Sequence, residues 1–491
     1  MEKKIENRVM WEIARATIIV FLYLSRHQCW PFSPVLRVGQ RISNSNTALT
    51  SRSWRGHLLL SAGKQARDDV FNVGEDNQDV YDVAIIGSGP AACSLAALLT
   101  ATSKTESPPR VAVLSKFADK RWVPNYGLWT EEWVALSELY AANGVPGLLE
   151  LGVDTQWDDT DCFFGEQTDE TGHPFFDTEG NVEGSHRRTV GKEYLRVSRK
   201  GLKHLFYGSG DGEDADANSK AMKSRKYEVI RGDVLGTAVN TNVFMPIGSI
   251  VLHEAYTELS LKEGSPRPRI RAKIVVDATG AESPFTIRDD RDKEGYQIAY
   301  GVECHVEGSG VTETHVGDYD RSKMTLFDFR SQSWRTEENQ AKVVQNPTFN
   351  YVMPLKEGVM FFEETSLVAN PAMSFQDCKD RLKDRLASQN VRITNVLEEE
   401  FCYIPMGGGL PRKGQRIIPV GAAAGLVHPS TGYQIGRCLA SNVDVAKQIL
   451  AELDSQSGTS FDPDAAAARI MQRTWTPENI RSKFLIYLKH T

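Results

Sequence analysis

The apolar positions at residues 83–86 predict a strand that is buried on both faces and is followed by a glycine turn and a helix. These four residues form an unbroken apolar run, which is typical of a central parallel strand. Gly87 and Gly89 follow, and Ala92 takes the third small position of a dinucleotide-binding motif. There the first glycine permits a tight turn, the second lets a pyrophosphate approach, and the third small residue packs the helix. The pattern predicts a dinucleotide site, with an ordinary glycine turn as the alternative.

Three later segments continue the same fold. Residues 110–114 are predicted as a second strand, and residues 274–276 as a third buried strand that ends at Asp277 and Gly280. Residues 416–420 form a strand that enters a turn of small residues, and a helix follows at 434–453. An acidic residue usually ends the second strand and binds a ribose hydroxyl, but Ser115 stands there. Ribose recognition is therefore expected from a neighbour, if at all.

Alternation of apolar and polar residues predicts an antiparallel sheet in the second half of the chain. It occurs at residues 297–307, 323–330 and 359–368, and a helix is predicted at 374–389. The predicted class is α/β, a Rossmann-like fold of the two-dinucleotide-binding flavoprotein type with an antiparallel-sheet substrate domain. The predicted segments are a targeting presequence (1–78), a nucleotide-binding domain with insertions (79–295), a substrate region (296–415) and a return to the nucleotide fold (416–491).

The first 67 residues have a composition unlike the rest. A short apolar run at 17–24 follows four basic residues, as in a signal peptide, and residues 25–67 contain Arg but no Asp or Glu. This order resembles the two-part presequence of algae whose plastids lie inside the secretory system. A disordered tail with a chance apolar patch is the alternative.

Charge and cysteine usage exclude some functions. The chain carries 57 Lys and Arg against 64 Asp and Glu, a net charge of −7, which argues against a nucleic-acid partner. Its 7 cysteines are scattered without a CxxC pair, so we expect reduced thiols and no metal site.

Seven motifs in order along the chain resemble the plant and cyanobacterial lycopene cyclases. They are residues 125–129 (NYGLW), 196–199 (RVSR), 275–280 (VVDATG), 327–330 (FDFR), 361–369 (FFEETSLVA), 404–408 (IPMGG) and 428–433 (HPSTGY). The chain departs from the family at Ser115, at Phe362, where plant members have Leu, and in ending soon after residue 478. We therefore expect either a truncated gene model or a shortened protein.

The resemblance implies an acid-catalysed, redox-neutral cyclisation of the linear ψ-ends of lycopene to β-rings, giving beta-carotene through gamma-carotene. It implies FAD, active in its reduced form, with NADPH as the reductant. It also implies linear carotenoids as substrates and a plastid location at a membrane surface, with other carotenoid-pathway enzymes as potential partners. The cofactor residues carried over are Gly87, Gly89, Ala92, Arg196, Asp277, Gly280, Gly421, Gly425 and Gly432.

The predicted catalytic residues are Glu363, Glu364 and His428. Burial and a like-charged neighbour both raise the pKa of a carboxyl group, so one of the two glutamates is expected to stay protonated. Adjacent strand residues point to opposite faces, so one of them is expected to face the substrate. Glu363 matches the family's catalytic position. His428 would relay a proton or orient the acid, or be merely structural.

Other functions fit the same motifs. A lycopene epsilon-cyclase differs only in which proton leaves the ring. A FAD-dependent oxidoreductase of the prenyl reductase or hydroxylase type would share the nucleotide motif without needing Glu363, and a carotenoid-binding flavoprotein would lack the acid. Membrane contact is expected to be peripheral, because no run of about 20 apolar residues exists. The basic and apolar stretch 480–489 suits an interfacial helix or the start of an internal one.

Overall fold

The computed structural model describes residues 80–475, apart from residues 102–107, 119, 165–186, 208–226, 236–249, 263, 266, 289–294, 331–345, 408–409, 429–430 and 457–459. The predicted presequence and the stretch 480–489 thus lie outside the described residues. None of the described helices combines the length and the apolar character needed to cross a membrane.

The structure describes the following strands and helices. The strands are β1 (Tyr81–Ile86), β2 (Val111–Leu114), β3 (Gly127–Trp129), β4 (Val153–Trp157), β5 (Thr160–Phe163), β6 (Arg187–Thr189), β7 (Tyr194–Val197), β8 (Glu228–Ile230), β9 (Ile250–Leu252), β10 (Thr257–Ser260), β11 (Arg269–Asp277), β12 (Gly295–Glu307), β13 (His315–Val316), β14 (Tyr319–Asp320), β15 (Met324–Asp328), β16 (Thr348–Pro354), β17 (Val359–Ser366), β18 (Arg392–Met406) and β19 (Ile417–Pro419). The helices are α1 (Pro90–Ala101), α2 (Thr130–Ala142), α3 (Leu148–Leu151), α4 (Arg199–Tyr207), α5 (Phe375–Ser388), α6 (Ile435–Ser455) and α7 (Pro463–Thr474), with 3-10 turns at Lys356–Gly358 and Gly421–Ala424.

The first sheet is built around β1, as the apolar run predicts. Its strands lie in the order β8-β2-β1-β11-β10-β9, and β19 also pairs with β11. The pairs β1–β2, β1–β11 and β11–β19 are parallel. On β1, Val83 and Ile85 pack in the cluster that contains α1 and α6, whereas Ala84 and Ile86 pack in a separate cluster on the other face. Burial on both faces explains why this strand is a continuous apolar run.

The second sheet is largely antiparallel, in the order β18-β12-β17-β16-β15-β5-β6. Its predicted strands are present, and the predicted helix forms as α5. The long edge strand β18 was not predicted. Strands β5 and β6 also join this sheet although they precede residue 295, and β5 is parallel to β15. The predicted boundary at residue 295 therefore does not separate the two sheets.

The two faces of the second sheet have different neighbours. On one face, Val302 and Phe362 pack with Leu382 and Leu386 of α5. On the other face, Phe361 belongs to an aromatic cluster with Trp129 and Tyr194. These last two residues lie on β3 and β7, which form a small sheet with β4. Successive residues of β17 therefore point alternately toward α5 and toward the aromatic cluster.

Candidate active site

A cavity of about 890 Å³ lies at the carboxyl ends of the parallel strands of the first sheet, and Gly87, Gly89, Gly280 and Gly421 line it. This is the edge at which open α/β sheets bind ligands. A Cβ atom at Gly89 would have no atom within 4 Å, so the backbone there is open to an approaching group. The N-terminus of α1 begins at the next residue and favours an anion. These residues fit a dinucleotide pyrophosphate.

Gly87 has a different role from Gly89. Its φ is +117°, and a Cβ atom would lie 2.5 Å from the carbonyl oxygen of Ala278. Gly87 therefore allows the turn after β1 to pass close to the end of β11. Any larger residue would disturb the sheet itself rather than the cavity alone.

Asp277 supports the turn that brings Gly280 to the cavity. The side chain is fully buried and accepts hydrogen bonds from the backbone N–H and the hydroxyl of Thr279, 3.0 and 2.7 Å away. The hydroxyl groups of Ser283 and Thr286 donate to its other oxygen. Asp277 thus fixes the loop that presents Gly280 to the cavity.

Ser115 ends the second strand as the sequence indicates. Its hydroxyl oxygen lies 2.9 Å from that of Ser88 and accepts from the backbone N–H of Phe117. Asp233, which follows the neighbouring strand β8, also lines the cavity and pairs with Lys116 and Lys262. An acid is therefore present at this end of the cavity, but it comes from the next strand.

The other predicted cofactor residues have varied positions. Ala92 is buried in α1, and Gly425 ends the 3-10 turn in a left-handed conformation. Gly432 lies against the side chain of Gln297 on β12. Arg196 lies on β7, where its guanidinium group bonds Glu303, Asp154 and the side-chain oxygen of Asn125. Arg196 therefore links the small sheet to the second sheet.

Glu364 faces α5 and is completely buried. Nε and Nη2 of Arg385 donate to its two carboxylate oxygens, each at 2.9 Å, and Thr348 donates a third hydrogen bond at 2.6 Å. Arg385 is 1% exposed and also lies 3.6 Å from Asp328 of the 327–330 motif. Both carboxylate oxygens are thus engaged on the α5 face, so Glu364 fits a structural role.

Glu363 points to the opposite face, on the side of Phe361 and the aromatic cluster. It is partly exposed, and burial raises the pKa of its carboxyl group. Thr365 donates a hydrogen bond of 2.8 Å to Oε1. Tyr351 is its register partner on β16. Glu363 is therefore an accessible carboxyl group in an aromatic environment, as a proton donor requires.

Glu400, on the unpredicted strand β18, lies across the sheet from Glu363. Both residues are register partners of Gly301 on the intervening strand β12. The Glu400 side chain is 2% exposed, and burial together with the charge of Glu363 raises its pKa to about 9. Two carboxyl groups therefore meet on one face of the sheet, and sequence reasoning missed the second.

His428 lies in the turn before α6 and is buried. Thr431 Oγ1 is 3.0 Å from Nδ1, and the backbone N–H of His428 donates to the carbonyl of Tyr433. Burial, helped by the charge of Arg437, lowers the pKa of His428 to about 4. The imidazole is therefore neutral near pH 7, which opposes a role as an imidazolium acid.

A chain of tyrosine hydroxyl groups runs from the His428 turn toward Glu363. The hydroxyl oxygens of Tyr433 and Tyr194 lie 2.7 Å apart, and Tyr351 donates to Tyr194 at 3.2 Å. Because Tyr351 is the register partner of Glu363, these hydroxyl groups connect the turn to the face of the sheet that carries the carboxyl pair.

Two curated plant proteins are similar to this chain in sequence. Lycopene beta cyclase of Arabidopsis thaliana, described as chloroplastic, is 30% identical over 408 residues, which are 82% of this chain and 67% of that protein. A chloroplastic neoxanthin synthase of Solanum lycopersicum is 30% identical over 77% of this chain and 62% of its own length.

A solved structure shows the same fold. A single-residue mutant of the halogenase PltM, in complex with FAD, matches 83% of this chain and 76% of its own, with a TM-score of 0.53 and 13% identity. The predicted Rossmann-like flavoprotein fold is thereby confirmed. The sequence model of the family described as lycopene cyclase protein matches residues 82–488. The chain is therefore an enzyme of the lycopene cyclase family, as its motifs predict.

Proposed function

We propose that this enzyme closes the linear ψ-ends of lycopene into β-rings, with Glu363 as the acid. The observation that carries the proposal is the position of Glu363. It is a partly exposed carboxyl group with a raised pKa on the aromatic face of the second sheet. Its neighbour Glu364 is fully engaged with Arg385 on the other face.

The reaction balances without net oxidation. The Glu363 carboxyl group gives its proton to the terminal double bond of the ψ-end, which leaves a tertiary cation. The neighbouring double bond attacks that cation and closes a six-membered ring, and loss of one ring proton forms the final alkene. The substrate gains one proton and loses one, so the product is an isomer of the substrate.

Aromatic side chains suit the cationic stage of this reaction. Trp129, Tyr194 and Phe361 share the cluster on the face that carries Glu363. The faces of such rings attract cations because of their quadrupole, and they exclude the water that would otherwise trap the cation.

FAD is the proposed cofactor, with NADPH as the reductant that keeps it reduced. Gly87, Gly89, Gly280 and Gly421 would hold the dinucleotide in the cavity, with Ala92 packing α1 against the sheet. The reduced flavin, when bound, supplies an electron-rich ring that favours positive charge nearby. The cavity extends to Tyr403 and Pro405 on β18, the strand that carries Glu400.

A plastid location is proposed because relatives of 28–30% identity are described as chloroplastic and the presequence has a transit-like composition. Contact with the plastid membrane surface and with other carotenoid-pathway enzymes is proposed from the lipid-soluble substrate. Residues 1–78 fused to a fluorescent protein should enter the plastid, and fluorescence that stays in the cytosol would contradict the proposal.

The mass of the product tests the proposed function. Purified enzyme, lycopene and reduced flavin should give β-ring products of unchanged mass, which chromatography separates from the substrate. A product with an ε-ring would identify the epsilon-cyclase instead. A product changed in mass would indicate a reductase or hydroxylase, and no product with lycopene bound would indicate a carotenoid-binding protein.

Replacement of Gly89 by Val tests the cofactor site. Because a Cβ atom there meets no protein atom within 4 Å, the branched side chain should fit the apoprotein and project into the cavity. We expect the flavin content of the purified variant to fall severely, with an unchanged unfolding temperature of the apoprotein. Gly89→Ala, the matched smaller change, should lose less flavin. Full flavin occupancy in Gly89→Val would contradict the assignment.

A further inference from the structure

We propose that Glu400 shares a proton with Glu363 across Gly301 and acts as the positioning residue that keeps Glu363 ready to donate that proton. This inference rests on the proposed function of Glu363. It adds a second carboxyl group from a different strand.

The first support is that glycine, a residue without a side chain, lies between the two carboxyl groups. Gly301 is the register partner of Glu363 on one side and of Glu400 on the other. A Cβ atom at Gly301 would lie 2.5 Å from Glu400 Cγ and 2.9 Å from Oε1. The Glu400 side chain thus occupies the space that a side chain at position 301 would fill, and the glycine lets it reach toward Glu363.

The second support is the way in which Glu400 is held. The backbone N–H of Asn125 donates a hydrogen bond of 2.8 Å to Oε2. In the part of the chain that the structure describes, Oε1 is buried and accepts no hydrogen bond from a donor group. The Glu363 carboxyl group lies within hydrogen-bonding range of Glu400. Two carboxylates cannot bond each other without a proton, so a shared proton satisfies this oxygen.

The third support is the surrounding charge. Arg196 on β7 is engaged by Glu303 of β12, and Arg199 on α4 is engaged by Glu398 of β18. Tyr351 on β16, Cys402 on β18 and Tyr126 before β3 also lie near the pair, and burial raises the pKa of each, so they are neutral. The nearby cations are therefore paired with other acids, and repulsion between Glu363 and Glu400 favours retention of one proton.

The experiment measures the rate of cyclisation by Glu400→Gln against pH. The amide can neither hold the shared proton nor carry the negative charge that favours its retention on the pair, so the pKa of Glu363 should fall. We expect the alkaline limb of the profile to move to lower pH by about one unit, equivalent to a tenfold loss of rate on that limb, with recovery on acidification. A merely structural role would lower the rate equally at every pH.

A second test variant and a control variant complete the experiment. Gly301→Ala should part the two carboxyl groups and shift the limb in the same direction, which keeps the inference testable if Glu400→Gln folds poorly. Glu399→Gln is the matched control, because Glu399 is exposed on the same strand and bonds Tyr300 and Lys379. Its profile should match that of the wild type. An unshifted limb in folded Glu400→Gln and Gly301→Ala would overturn the inference.

A spectroscopic readout distinguishes this failure from failure of the proposed function. Infrared spectra of protein with isotope-labelled glutamate should show a protonated carboxyl band at neutral pH, and Glu400→Gln should weaken it. A wild type that makes no cyclised product would refute the proposed function while the band still reports the pair. A wild type that cyclises but shows no such band would refute the shared proton alone.

Discussion

Glu363→Gln should abolish ring formation while leaving flavin content unchanged. The amide keeps the size and hydrogen bonding of the carboxyl group but has no transferable proton. General acids contribute about 10² to 10⁴ in rate, and protonation of an unactivated alkene has no easy substitute, so we expect a loss at the upper end of that range. The measurement is carotenoid output in a lycopene-accumulating host, with flavin measured on the same preparations.

The test requires that Glu363→Gln is as stably folded as the wild type. Glu363 is partly exposed, and a glutamine there can still bond Thr365 and Glu400, so its replacement should cost little stability. Normal cyclised product from Glu363→Gln would mean that another group supplies the proton, and Glu400 would be examined next.

Glu364→Gln should have the opposite signature, with a large loss of stability and a small loss of specific activity. The substitution leaves the guanidinium group of Arg385 buried without its bidentate partner, and breaking such a pair costs about 3–5 kcal/mol. Denaturant unfolding should show that loss in the free energy of unfolding. Activity per mole of folded, flavin-loaded enzyme should stay close to that of the wild type.

A double replacement of Glu364 and Arg385 by Met is the control for this interpretation. It removes both charges together, so it should cost less than the sum of the two single replacements. Glu364→Gln with normal stability and little cyclised product would reverse the roles of the two glutamates.

The sequence predicted the parts of the site that follow simple periodicities. The apolar run at β1 gave the first sheet, and strand alternation placed Glu363 and Glu364 on opposite faces. The sequence could not tell which of the two glutamates faces the aromatic cluster. That depends on the pairing of Glu364 with Arg385, 21 residues away on α5. That pairing is a tertiary contact without a local signal.

Strand β18 shows why Glu400 was missed. In an ordinary edge strand apolar residues point inward and charges outward, but here the pattern is inverted. Phe401 and Tyr403 are about half exposed and contact Tyr300 and Tyr296, whereas Glu400, directly before Phe401, is buried. A run of three glutamates at 398–400 is usually a solvated face. The useful signal was Gly301 inside an otherwise bulky strand, since such a glycine often marks a close approach.

The bond from Asn125 to Glu400 has a consequence for how this enzyme tolerates mutation. Its donor is a backbone N–H group, which every amino acid except proline carries. Side chains at position 125 can therefore change, at the expense of the contact with Arg196, while the anchor of Glu400 persists. In a mutational library at position 125, proline should be the substitution that removes the hydrogen bond to Glu400. Alanine and even a bulky side chain should retain that bond.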